Sequence, residues 1–255
     1  MKRKIILSIV LFLAGALSAF GQVVQMNSRY YLTQVASGGG ISSNIQFLSL
    51  ANPERAGGTK THVTVKFFNK DGSAESYPTS KGTKSEIDLD LTAFATDFIE
   101  MGPGGNLQTG WAQIDSTFPI GVYLTWLVFN NGQVIAQTAV LPSPAQLAFS
   151  TAYNENNGIA LANVSNTVAN IIVQPFNSDG SAATSLNRLI TLQPGAQFAC
   201  YFNQSPFSFP ADAQGVVVFS SNVQIIAVEV GYTGQVFSTV PVLPAPRRLD
   251  IPAVN

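Results

Sequence analysis

One stretch of seven residues occurs twice and sets what this chain can fold into. Phe68-Asn69-Lys70-Asp71-Gly72-Ser73-Ala74 returns 108 positions later as Phe176-Asn177-Ser178-Asp179-Gly180-Ser181-Ala182. Each copy ends a run of alternating apolar residues, and Asp-Gly at that place is hairpin chemistry. Before the first copy, Val63, Val65 and Phe67 share one strand face, and His62, Thr64 and Lys66 share the other. The same faces return as Ile171, Val173 and Pro175 against Asn170, Ile172 and Gln174. One β unit has been built twice.

Further matches follow in chain order. Leu50-Ala51-Asn52 precedes Leu161-Ala162-Asn163 by 111 positions, and Gly110-Trp111 precedes Gly215-Val216 by 105. Gly132-Gln133-Val134 and Val140-Leu141-Pro142 precede Gly234-Gln235-Val236 and Val242-Leu243-Pro244 by 102. A falling offset is what loop deletions in the second copy produce. Carried through the late strands, the 102 offset sets Leu124, Trp126 and Val128 on Ile226, Val228 and Val230. Turn signals at this spacing predict about seven short strands per unit. The expected fold is all-β, two tandem Ig-like antiparallel β-sandwich domains at 22–142 and 145–244, joined through Pro142-Ser143-Pro144 and followed by a tail, 245–255. Within the first unit, 107–116 and 119–130 read as a hairpin. Thr92, Phe94, Phe98 and Met101 read as a short capped helix ended by Gly102-Pro103.

The start of the chain predicts export. Lys2-Arg3-Lys4 precedes an apolar run from Ile5 to Phe20, and Ala19 and Gly21 are the small residues that a signal peptidase reads. The run is shorter than the roughly 20 residues of a membrane span. Residues 1–21 are therefore expected to be cleaved, with no membrane span afterwards and a periplasmic or extracellular location. Removal leaves 10 basic and 14 acidic side chains. Charged residues are only 11% of the chain, against a usual share of about 25%. That composition offers no basic field for nucleic acid. The single cysteine, Cys200, excludes an internal disulfide.

Gly38-Gly39-Gly40, Leu50-Ala51-Asn52-Pro53, Phe68 to Gly72, Gly110-Trp111-Ala112 and the closing Val-Leu-Pro resemble the pattern of uncharacterised secreted bacterial proteins with tandem Ig-like β-sandwich repeats. The resemblance spans most of the mature chain. It implies a fold and export, and it carries no catalytic residue.

Catalytic chemistry is sparse. His62 is the one histidine and sits on a polar strand face without a sequence partner. Cys200 lies among Phe198, Tyr201 and Phe202 and reads as a core residue. Glu86, Asp88 and Asp90 alternate along one strand face, where side chains stand roughly 6.5–7 Å apart, too far to converge on calcium without another loop. No metal or cofactor is expected. Asp115 and Glu229 remain as carboxylates that a hydrolase would need to bring together between the domains.

The expected function is an exported, non-enzymatic binding or structural module, adhesin-like or a cell-envelope accessory, with a glycan or cell-envelope protein as its ligand. Trp111, Gln113, Tyr123, Leu127 and Phe129 form the candidate site, on the reading that two neighbouring strands aim them outward. An aromatic face beside polar donors suits a sugar ring. The same face equally suits a contact with the second domain. Trp126 falls on the opposite, core-facing side.

Overall fold

The computed structural model describes residues 27–50, 60–233, 236–240 and 242–245. The expected signal peptide, Ala51-Asn52-Pro53, Gly234-Gln235 and nearly all of the tail lie outside them. The first half comprises β1 (Ser28–Ser37), β2 (Ile41–Ser49), β3 (Thr61–Phe68), β4 (Tyr77–Thr79), β5 (Gly82–Lys84), β6 (Glu86–Leu91), β7 (Thr96–Met101), β8 (Gln108–Ser116), β9 (Ile120–Asn130) and β10 (Gln133–Val140). The second comprises β11 (Gln146–Tyr153), β12 (Asn157–Asn163), β13 (Ala169–Asn177), β14 (Arg188–Leu192), β15 (Gln197–Tyr201), β16 (Gly215–Thr233), β17 (Val236–Val240) and β18 (Leu243–Pro244). All the pairings are antiparallel. Among the described residues no helix is long and apolar enough to cross a membrane.

In the first half one sheet runs β1-β8-β3-β6 and the other β10-β9-β2-β7-β4-β5. Val63, Val65 and Phe67 from one sheet meet Ile45, Phe47, Leu124 and Trp126 from the other in one apolar core. Alternation puts them there: β3 and β6 read buried at every second residue. The second half repeats the order. The leading part of β16 pairs with β11 and β13, its trailing part with β12 and β17, so this single strand of 19 residues belongs to both layers.

That continuity corrects the expected hairpin. β8 pairs with β1 and β3, β9 with β2 and β10, and the two lie in different sheets. Residues 117–119 carry the chain from layer to layer, as the unbroken β16 does in the second half. The expected helix at 92–101 is also absent. Residues 96–101 form strand β7, with Ile99 and Met101 buried and Phe98 exposed. Phe94 stands in the preceding turn at φ 58°. Its spacing to Phe98 and Met101 imitates a helical stripe, but Ile99 and Met101 alternate with exposed Phe98 and Glu100, a strand period.

The twin turns share their backbone hydrogen bonds. Asn69 N–H donates to Ser73 O at 2.9 Å and Gly72 N–H to Asn69 O at 3.2 Å; Asn177 N–H donates to Ser181 O and Gly180 N–H to Asn177 O, both at 2.8 Å. The Asn side chains reach Ser73 Oγ and Ser181 Oγ at 2.8 and 2.9 Å. Of each Asp-Gly pair only the glycine takes positive φ, 89° at Gly72 and 83° at Gly180.

Strand register corrects the alignment of the late strands. Ile45 pairs with Leu124 in the first half, and Ile159 with Glu229 in the second; Ser49 and Ile120 correspond likewise to Asn163 and Ile225. The offset is therefore still 105 along β9 and β16, not 102. Leu124 and Trp126 match Glu229 and Gly231, whereas Ile226 and Val228 match Gly121 and Tyr123 on the outer face. Leu161, buried in the second core, matches Phe47 and not the exposed Leu50.

Candidate functional site

The residues expected to form one aromatic platform are divided between two faces. Trp111 and Gln113 point outward from β8, while Tyr123, Leu127 and Phe129 point outward from β9 in the opposite sheet. The layer change at 117–119 separates them. Trp111 is also closed to solvent, at 3% exposure. It stacks on Phe68 with centroids 4.2 Å apart, and its Nε1 donates to Gly195 O of the second half at 2.7 Å. Ala162 and Ile226 complete its surroundings. Gln113 donates to Asp115 at 2.6 Å, and Asp115 holds Arg29 at 2.6 Å. Tyr123 is 40% exposed and donates to Gln46. Leu127 and Phe129 are half-buried.

Trp111 is therefore an anchor between the halves, and Gln197 is the second. The Gln197 side-chain amide donates to Thr33 O at 2.8 Å, to Gly110 O at 3.2 Å and to Gln34 Oε1, while its backbone N–H donates to Lys70 O at 3.0 Å. The repeated turn of the first half thus rests on the Pro194–Gln197 segment of the second. Thr239 Oγ1 adds a bond to Ala139 O at 3.2 Å. Nothing in the sequence singles out Gln197, because its partners, mostly backbone atoms, lie far away in the chain.

Beside these anchors the halves leave a cleft of about 450 Å³. Its roof comes from the first half: Ile41, Leu107, Trp126 and Val128. Its floor is the outer face of the second half: Gly158, Ala160, Ala199, Val228 and Val230, with Cys200 turned toward the second core behind them. The cleft is open above Ala199, while Ala160 and Val228 at its base are buried against the core of the first half. By register Ala160 stands where the first half has Gln46, and Ala199 where it has Phe98. Tyr201, Tyr232 and Leu107 stand partly exposed along the lining. Trp126, buried, faces Phe237 at 5.7 Å. Among the described residues Lys70 is the one charged residue of the lining. Burial pushes the Cys200 thiol up to about 12, so it stays protonated and is a poor nucleophile at neutral pH.

The carboxylates expected between the domains do not meet. Asp115 is held by Arg29 and Gln113 on the outer face of the first half. Glu229 is fully buried in the second core, where the Thr151 hydroxyl and the Asn157 amide donate to it. Neither lines the cleft. Loss of water around Glu229 pushes its carboxyl up to about 8, against the pull of those two donors, so it is mainly neutral at pH 7.

The acidic row of β6 makes cross-strand pairs. Asp90 lies 3.0 Å from His62 Nδ1, Asp88 accepts from Thr64 at 2.7 Å, and Glu86 lies 3.5 Å from Lys66. Among the described residues no three potential metal ligands converge. Asp71 accepts the Ser73 amide, and Asp179 accepts the Ser181 hydroxyl and amide, bonds that hold both carboxyls below their ordinary range. No family model, curated protein or solved structure matches the chain.

Proposed function

We propose that the protein is an exported, non-enzymatic binding module of two tandem Ig-like sandwiches, an adhesin-like or cell-envelope accessory protein that recognises its ligand in the cleft between the halves. One observation carries this reading. The halves are locked together at Trp111 and Gln197, yet beside the lock a cleft remains over exposed Ala199, with buried Ala160 at its base. Protein interiors pack at about 0.74–0.76 density, and a purely structural contact has no use for such a gap. Largely apolar clefts with a few polar groups are the usual form of small-molecule sites.

The Ig-like description has support in part of the strand order. Counting the eight strands common to both halves, one sheet runs first, sixth, third, fourth and the other eighth, seventh, second, fifth. Second beside fifth and third beside sixth is the immunoglobulin arrangement. The first, fourth and seventh strands sit in the sheets opposite to those it would give them.

The reading is tested by titrating the mature chain with apolar, amphipathic and glycan probes while following tryptophan emission. Binding of a probe that Ala199→Phe abolishes, in a variant that still melts cooperatively, supports the cleft. Glycan binding unaffected by Ala199→Phe overturns it. Recovery of protein starting near Gln22 outside the cytoplasm tests export.

A further inference from the structure

We infer that the cleft takes a single-chain amphiphile with an anionic head, its tail lying over Ala160, Ala199 and Val228 and its head beside Lys70. This rests on the cleft being the recognition site.

The lining is polarised along its length. Gln34, Lys70 and Thr109 gather where Gln197 ties the halves together. Thr109 pairs with Ala36 two residues from Gln34, and Lys70 O accepts from Gln197. At the other end are Trp126, Val128 and Phe237, with Val230 and Tyr232 beneath. There Val128 pairs with Ile41 and Phe237 with Tyr232, so that end offers mainly ring and methyl surface. An apolar tail leaves water there, which is the main source of affinity in such a site.

Charge selects the head. No Asp or Glu lines the cleft. The nearest carboxylate in sequence, Asp71, accepts the Ser73 amide within its own turn. A cationic head would meet Lys70 as a like charge, and a carboxylate or phosphate would gain a charge-assisted hydrogen bond. The amide of Gln34 supplies a further polar contact. The floor also favours one chain over a fused ring system. Gly158 already packs on the Tyr201 ring, where an added Cβ would stand 3.3 Å from Cδ1. The free room is the strip above Ala160 and Ala199.

The test uses the whole mature chain and three probes that share a twelve-carbon tail: dodecanoate, dodecyltrimethylammonium and dodecyl maltoside. Calorimetry is expected to show dodecanoate binding about tenfold more tightly than the cationic probe. Lys70→Gln should remove that preference and leave the maltoside unchanged. Ala199→Phe should abolish binding of all three. Should the cation bind as well as the anion, or Lys70→Gln leave dodecanoate unaffected, the anionic head is wrong and the cleft reading stands. Should no probe bind, or Ala199→Phe change nothing, the cleft reading itself fails. If Ala199→Phe does not fold, Ala160→Gln, the residue of the first half at that place, takes its part.

Discussion

Glu229 occupies in the second half the place that Leu124 occupies in the first. Each pairs with the matching isoleucine of the second strand of its half, Ile159 and Ile45, and each points between the layers. One repeat fills this position with a methyl-tipped side chain, the other with a carboxyl that accepts from Thr151 and Asn157.

Stability should therefore fall as pH rises. The folded-state value of Glu229 is raised to about 8 from an ordinary 4.5. The folded form holds a proton that the unfolded chain releases. Its contribution is full below about pH 4.5, shrinks as pH rises and is gone above about pH 8. A buried carboxyl of this kind is worth a few kcal/mol over that window. Denaturant midpoints for wild type should drop steadily from pH 5 to pH 8, whereas Glu229→Gln should flatten the curve. A wild-type curve already flat over this range would show that the group ionises normally.

Trp111→Ala should destabilise the protein by about 3–5 kcal/mol, the usual range for removing a buried indole. The side chain is closed in by Phe68, Ala162 and Ile226 and donates to Gly195 O. Trp111→Phe keeps the stacking and loses the hydrogen bond, for about 1–2 kcal/mol. Thermal melts of both variants give the order directly. Equal losses would mean that the hydrogen bond carries the contact.

Much of this architecture could be read from alternation alone. Val63, Val65 and Phe67 declare a half-buried strand whatever the tertiary context, and the twin turns declare a repeat. The layer change was missed because Pro119 after Ser116-Thr117-Phe118 resembles hairpin chemistry. The counter-signal lies in the other copy: Asn222-Val223-Gln224 contains neither Gly nor Pro, and β16 runs straight through it. Placing Leu124 on Ile226 then reversed inside and outside for a whole strand, since one residue of slip exchanges the faces. With that register wrong, Phe98 facing Ala199 and Gln46 facing Ala160 could not be recognised as the substitutions that open the cleft. Alternation puts Trp111 on the face turned away from the first core, but its burial depends on how two halves dock, which no local pattern encodes.

The second half should fold alone and the first should not. The core of the first half is completed by Ala160, Val228, Val230 and Phe237, all from the second. The second core draws only on residues from Phe149 onward and fills its open end with Phe202, Phe207 and Phe209. A fragment of residues 143–255 is expected to show a cooperative melt and dispersed amide resonances. A fragment of residues 22–142 is expected to aggregate or bind dyes that report exposed apolar surface. A cooperative melt from the first fragment would show that the shared core is dispensable.

The twin glycines separate the cost of the turn from the cost of docking. Gly72 and Gly180 take nearly the same positive φ within the same hydrogen bonds. Alanine at either pays the same backbone penalty, about 1 kcal/mol. Their surroundings differ. A Cβ on Gly180 meets nothing within 4 Å, whereas one on Gly72 would stand 2.8 Å from Pro194 O and 2.7 Å from Gly195 C. Both are backbone atoms of the segment that carries Gln197, so neither can swing aside. Gly180→Ala should lose about 1 kcal/mol, and Gly72→Ala about 1–3 kcal/mol more by pushing the halves apart. The excess should be accompanied by stronger quenching of Trp111 by acrylamide, since the same segment holds its Nε1. If the two variants melt together and quench alike, the turn of the first half is not what holds the second in place.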